Sequence, residues 1–131
     1  MKRLILILLS VAALALTGCS ASSAPAAYRS VSPGEAQAMM EKETDYILLD
    51  VRTLGEFAEK HIPGAILIPN ETIGSQPPEQ LRRKDQLILV YCRSGNRSKQ
   101  AAQKLAGMGY TRIVEIGGIN QWPGQTVTGA P

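Results

Sequence analysis

Short apolar runs alternate with stretches of helical pattern between residues 29 and 125. The runs Tyr46–Leu49, Ala65–Ile68, Gln86–Tyr91 and Arg112–Ile116 are nearly continuous, so each is predicted to be a strand buried on both faces. Buried strands separated by helices are typical of a parallel sheet that is covered on both sides. We therefore predict one α/β domain, a mainly parallel sheet flanked by helices.

Three helices are marked by their ends. Ser32–Lys42 and Thr53–Lys60 each open with a capping box, a Ser or Thr followed three residues later by Glu. A third helix is predicted from Asn96 or Ser98 to Met108, where glycines end it. Residues 70–84 are expected to form one or two short helices, interrupted by Pro77-Pro78.

The first residues have the pattern of a secretory signal. Lys2 and Arg3 precede an apolar run, Leu4–Leu16, that is too short for a comfortable membrane span, and small residues follow it. The segment Leu16-Thr17-Gly18-Cys19 resembles the bacterial lipobox. That resemblance implies removal of residues 1–18 and lipidation of Cys19.

The resemblance to the lipobox also implies a location and a domain layout. Residues 19–28 would be the lipidated cysteine and a flexible tether, residues 29–125 the folded domain and residues 126–131 a C-terminal tail. The protein is expected to be exported and held on a bacterial membrane, on the periplasmic side or at the cell surface. Ser20 stands where an aspartate would favour inner-membrane retention, so the outer membrane is weakly favoured.

Removing the signal changes the charge balance. Without Lys2 and Arg3, the chain has twelve basic and eleven acidic side chains, which gives a net charge of +1. This balance gives no reason to expect a nucleic-acid partner. The basic cluster Arg82-Arg83-Lys84 is expected to be an exposed helix end.

Cys92 lies between a predicted strand and a predicted helix. Such a loop collects backbone N–H groups without helical partners, so it favours an anion, and Gly95 lets the backbone turn. Arg93 and Arg97 are expected to help lower the pKa of the thiol. The alternative is a small buried residue that ends the strand. The polar residues after Cys92, and its place in an exported protein, favour a reactive thiol.

Five motifs occur in the order and spacing of single-domain rhodaneses, the thiosulfate sulfurtransferase-like family. They are Asp50-Val51-Arg52, Glu56-Phe57, His61-Ile62-Pro63-Gly64-Ala65, Cys92-Arg93-Ser94-Gly95-Asn96-Arg97-Ser98, and Gly117-Gly118 through Trp122. The resemblance covers nearly the whole domain. It implies a five-stranded, mainly parallel sheet flanked by helices.

The resemblance implies sulfur transfer without a cofactor. Cys92 would take sulfane sulfur from thiosulfate or a similar donor, carry it as a persulfide, and pass it to cyanide or a thiol. The substrate would be held by the loop residues Arg93, Ser94, Gly95, Asn96, Arg97 and Ser98. A thioredoxin-like protein is a further possible acceptor, and a monomer is expected. Ser94 stands where two-domain thiosulfate enzymes carry lysine, which leaves the donor open.

Two alternatives remain open. One is a persulfide carrier or binding module with negligible turnover. The other is a cysteine-dependent phosphatase or arsenate reductase, which is less favoured because those families use a Cys-x5-Arg loop. Here Arg97 follows Cys92 after four residues, a smaller loop that suits sulfur better than phosphate.

Other polar residues are expected to support the site rather than react. Asp50 and Arg52 are predicted to pair with each other or with loop backbone at the edge of the site. His61 is expected to be structural, because no second base or ligand accompanies it, and Trp122 is expected to be a packing residue. The sequence has no metal-ligand cluster and no nucleotide-binding glycine motif, so no metal or cofactor is expected.

Overall fold

The computed structural model describes residues 27–131. The predicted signal peptide, Cys19 and nearly all of the tether lie outside these residues. Within 27–131, every helix is too short or too polar to cross a bilayer.

The sheet has five strands in the order β1-β5-β4-β2-β3, and every neighbouring pair is parallel. The strands are β1 (Arg29–Ser30), β2 (Tyr46–Asp50), β3 (Ile66–Leu67), β4 (Leu87–Cys92) and β5 (Arg112–Gly118). The predicted α/β architecture is confirmed. β1 was not predicted, because two exposed residues show no apolar pattern.

Three α-helices flank the sheet: α1 (Pro33–Lys42), α2 (Leu54–Glu59) and α3 (Asn96–Gly107). Both predicted capping boxes form, with Ser32 and Thr53 as N-caps. The prediction for residues 70–84 was partly wrong. One 3₁₀ turn forms at Asn70–Thr72, and the rest is irregular, so the cluster Arg82-Arg83-Lys84 is not a helix end. Pro77 and Pro78 lack backbone N–H donors, and each disfavours helical geometry in the residue before it, so no α-helix continues through this segment.

The two faces of the sheet bury separate apolar clusters. Alternate residues of the central strand β4 supply both, since Ile88, Val90 and Cys92 face α3, whereas Leu87, Leu89 and Tyr91 face α1. All six residues of β4 are buried. Its carboxyl end therefore delivers Cys92 to the sheet edge from the most protected strand of the fold.

A bulge displaces β5 at the same edge. Val90 pairs with Glu115, but Cys92 pairs with Gly118, so β5 contains one extra residue there. Gly117 takes the positive φ of +86° that this irregularity needs. The bulge brings the Gly117-Gly118 segment against the loop that follows Cys92.

Gly118 lets two backbones approach closely. A Cβ atom on Gly118 would lie 2.1 Å from the carbonyl oxygen of Arg93. That oxygen accepts a hydrogen bond from the N–H of Asn120 at 3.2 Å, which fastens the loop to the end of β5. Any side chain at this position would force the loop after Cys92 to move.

We expect Gly118→Ala to destabilise the domain by about 2–3 kcal/mol, because backbone atoms cannot yield to the new methyl group. Urea unfolding measures the effect. Gly107→Ala is the matched control, because its Cβ would meet nothing within 4 Å at the end of α3. This control should be neutral or slightly stabilising. Equal unfolding midpoints for the two variants would contradict the close approach.

Candidate active site

Cys92 is the last residue of β4, and α3 begins four residues later. Between them, Arg93 and Ser94 are exposed, and Gly95 turns the chain with φ +108° as the N-cap of α3. Cys92 itself is 1% exposed. The thiol is therefore at the predicted sheet edge, but beneath the loop rather than open to solvent.

Backbone and hydroxyl groups surround the sulfur. The N–H of Gly95 donates to Sγ at 3.0 Å, and Sγ lies 3.4 Å from the Ser98 hydroxyl oxygen. Ser98 is fully buried on the first turn of α3. The loop thus forms a cradle, meaning the groups of residues 94–98 that face the sulfur.

The cradle lowers the pKa of the Cys92 thiol. Burial, the largest influence, raises the pKa, but the Ser98 hydroxyl and the N–H groups of Ser98, Gly95 and Ser94 together outweigh it. The predicted direction is confirmed. The predicted contribution of the backbone N–H groups is confirmed as well. The Ser98 hydroxyl was not predicted, and the expected contribution of Arg93 and Arg97 is not among the main causes.

Arg97 is held by a carboxylate from another helix. Its Nη1 and Nη2 atoms each donate to Glu56 at 2.8 Å, and Glu56 also completes the capping box of α2. Hydrogen bonds from Arg97 are the main reason that the pKa of Glu56 falls to about 2. The pair is about a quarter exposed. It ties α2 to the loop and leaves Arg97 largely neutralised.

Asp50 and Arg52 pair with each other, as predicted. Three bonds of 2.7–3.1 Å join the guanidinium of Arg52 to the Asp50 carboxylate, and Arg52 also donates to the Lys60 carbonyl oxygen at 2.6 Å. Both side chains are nearly inaccessible, at 0% and 4% exposure. They join the end of β2 to the end of α2 from inside the fold.

One loop residue, Arg93, opens onto a polar cavity of about 350 Å³. Arg93, Glu59, Lys60 and Asn120 are among its lining residues. Asn96 is exposed at the start of α3. Among the predicted loop residues, Ser94, Gly95 and Ser98 supply groups that reach the sulfur. The roles of all six loop residues toward a substrate stay predictions.

His61 and Trp122 lie away from the sulfur cradle. The His61 ring stacks on Phe57 with centroids 3.8 Å apart, and its Nδ1 lies 2.8 Å from the Phe57 carbonyl oxygen. Trp122 packs partly buried against the cluster on the α1 face. Both contacts match the packing roles that were expected.

Glu115 is a site residue that the sequence analysis missed. It is 2% exposed in β5, and its Oε1 accepts from the Ser98 hydroxyl at 2.6 Å and from the Gly117 N–H at 2.8 Å. A carboxylate thus lies directly behind the hydroxyl that contacts Cys92. Its signal was available, since an acidic residue interrupts a run predicted to be buried on both faces.

Comparison with known proteins agrees with this geometry. A model of the Rhodanese-like domain matches residues 32–125. The thiosulfate sulfurtransferase GlpE of Pseudomonas savastanoi is 31% identical over 107 residues, which cover 78% of this chain and 97% of that protein. A solved structure described as rhodanese with anions from E. coli has a TM-score of 0.59 and 31% identity, covering 64% of this chain and 99% of that one.

The same domain type also occurs within larger proteins. The adenylyltransferase and sulfurtransferase UBA4 of Candida albicans is 34% identical over 100 residues. The match covers 70% of this chain but 23% of that protein. The chain therefore spans about a quarter of the length of this relative, and the activity of the whole relative does not transfer directly.

We expect Glu56→Gln to destabilise the domain by about 1–2 kcal/mol at neutral pH, because it removes the charge partner of Arg97 and weakens a cap. The pKa of Glu56 is lowered from 4.5 to about 2. The stabilisation is therefore complete above pH 4.5 and is lost as the pH falls from 4.5 towards 2. Urea unfolding of wild type and variant across this range measures it.

Glu59→Gln is the matched control for Glu56→Gln. Glu59 ends the same helix, but it is exposed and makes no side-chain hydrogen bond within residues 27–131. Its replacement should change stability little at any pH. A difference between Glu56→Gln and wild type that persists unchanged below pH 2 would count against the ion pair as the cause.

Asp50→Asn should cost roughly 3–5 kcal/mol of unfolding free energy, because it leaves the buried charge of Arg52 without its partner. Asp85→Asn removes a carboxylate from an exposed pair with Arg83 and should change the stability little. Urea unfolding compares the two. Similar losses of unfolding free energy in the two variants would contradict a stabilising role for the buried Asp50–Arg52 pair.

Proposed function

Since the chain belongs to the rhodanese-like domain family, we propose that it moves sulfane sulfur from a donor to an acceptor through a persulfide on Cys92. The observation that carries this proposal is the cradle around Sγ. It favours an anionic sulfur by hydrogen bonds from Gly95 and its neighbours, within a domain whose relatives include thiosulfate sulfurtransferases.

In the first half-reaction, the Cys92 thiolate attacks the outer sulfur of thiosulfate. A sulfur–sulfur bond forms to Sγ, the sulfur–sulfur bond of thiosulfate breaks, and sulfite leaves with the electron pair. In the second, cyanide or a thiolate attacks the outer sulfur of the persulfide. Cys92 then leaves as a thiolate, so no oxidant or reductant is needed, and the two steps predict ping-pong kinetics.

Thiosulfate is our preferred donor. The Cys-Arg-x-Gly order formed by Cys92, Arg93 and Gly95 resembles thiosulfate enzymes more than mercaptopyruvate enzymes. The exposed cations Arg93 and Lys60 beside the polar cavity would also attract an anionic donor. Because Cys92 is buried, the loop has to admit the donor before attack.

A persulfide carrier with negligible turnover is the second candidate. The burial of Cys92 favours it, because a covered persulfide is protected from solvent and from small oxidants. The carrier would load from the same donors but release sulfur only to a docking protein. A thioredoxin-like protein remains our proposal for such a partner.

We further propose that the domain works outside the cytoplasm, held to a bacterial membrane through lipidated Cys19. The lipobox-like segment and the small, polar residues after it support this location. A tether of about nine residues would let the domain move roughly 30 Å from its anchor. That reach would allow it to meet soluble donors and acceptors.

Protein lacking residues 1–19 should form thiocyanate from thiosulfate and cyanide, and Cys92→Ser should reduce the rate to background, because no other thiol remains. Mass spectrometry after thiosulfate treatment should show the mass of one added sulfur on Cys92. Loading without turnover would favour the carrier. Neither loading nor turnover with any sulfane donor would refute both candidates.

A further inference from the structure

The Ser98 hydroxyl has more acceptors than it can serve. Its oxygen lies 2.6 Å from Glu115 Oε1, 2.9 Å from the Gly95 carbonyl oxygen and 3.4 Å from Cys92 Sγ. A serine hydroxyl carries a single proton. When Cys92 is a thiol, it can donate to Ser98 while Ser98 donates to Glu115. When Cys92 is a thiolate, sulfur and carboxylate require the same proton.

Glu115 is placed to compete strongly with sulfur for this proton. Its carboxylate is buried, makes the shorter bond to Ser98, and is fixed by the Gly117 N–H at 2.8 Å and the Ser30 hydroxyl at 3.1 Å. Within residues 27–131, no Lys, Arg or His side chain forms an ion pair with it. Hydrogen bonds to a carboxylate are stronger than those to neutral acceptors, and more so away from water.

We propose that Glu115 is a positioning residue, which competes with the Cys92 sulfur for the single proton of Ser98 and thereby limits how far Ser98 stabilises the thiolate. The proposal rests on the proposed use of Cys92 as a nucleophile. A less stabilised thiolate has a higher pKa and attacks a sulfur more readily once formed. Glu115 would thus lower the fraction of Cys92 that is present as thiolate and raise the reactivity of the thiolate that forms.

Other charged groups near the sulfur are already paired or face outward. Arg97 of α3 is bound to Glu56 of α2, and the Asp50–Arg52 pair is closed at the end of β2. The charge of Glu71, in the turn after β3, helps to raise the pKa of Arg97. Arg93 is exposed in the loop. Glu115 is therefore the charged group whose hydrogen bond reaches the sulfur through one intervening atom.

The test is the pH dependence of Cys92 alkylation by iodoacetamide in the full chain, followed by mass spectrometry of the Cys92 peptide. Glu115→Gln keeps the shape and an acceptor oxygen for the Gly117 N–H, but removes the charge. Ser98 should then turn towards sulfur, and the alkylation midpoint should fall by about one pH unit. An unchanged or higher midpoint overturns the proposal.

A double-mutant comparison separates action through Ser98 from a general effect of charge. Ser98→Ala should raise the midpoint, because it removes the hydroxyl donor to sulfur. In the Ser98→Ala background, Glu115→Gln should then have little further effect. An equal fall with and without the Ser98 hydroxyl would show direct electrostatic action and would refute the positioning role.

Ser30→Ala tests the same competition with the opposite sign, and keeps the proposal testable if Glu115→Gln does not fold. It removes the other hydroxyl donor to Glu115 from the exposed strand β1. The carboxylate should then hold Ser98 more firmly and the midpoint should rise; no rise contradicts the proposal. Alkylation needs no sulfur donor, so inactive protein with these shifts would refute the proposed function alone.

Discussion

A sulfur that must become an anion inside a protein needs hydrogen bonds that replace the water it has lost. At Cys92 these come from the Gly95 N–H and its neighbours, and from Ser98 on the first turn of α3. The surrounding fold is arranged to provide them. The central strand β4 brings Cys92 to the sheet edge, and the positive φ of Gly95 turns the chain three residues later. Gly118 lets the end of β5 pack against the loop.

The ion pairs around the cradle hold neighbouring elements of the fold together. Arg97 is engaged with Glu56 and Arg52 with Asp50, so neither guanidinium is free to pair with the sulfur. The thiolate is therefore stabilised mainly by backbone dipoles and one hydroxyl. Fixed dipoles do not need to reorganise when charge moves from sulfur to a leaving group, which suits two successive displacements at the same atom.

Strands, helix starts and the Cys92 loop could be predicted because they depend on a local pattern of residues. Apolar runs predicted four of the five strands, two capping boxes predicted the starts of α1 and α2, and the Cys92 loop emerged from the order of strand and helix. Tertiary partners were not predictable in this way. Glu56 and Arg97 are 41 positions apart in the sequence, and Glu115 and Ser98 are 17 positions apart. Their contacts therefore depend on how α2 and β5 pack against α3. β1 is defined by its pairing with β5 and not by its own two residues.

The competition for the Ser98 proton also bears on sulfur loading. In a persulfide, Sγ is bonded to a second sulfur and carries no formal charge, so Ser98 can donate to Glu115 without opposition. In the free thiolate, the same proton is required by two anions. On the proposed role of Glu115, the loaded state is therefore favoured relative to the empty thiolate. The buried Glu115 carboxylate would then favour the sulfur-loaded state of the domain. Its hydrogen bond to Ser98 would in this way influence the sulfur transfer at Cys92.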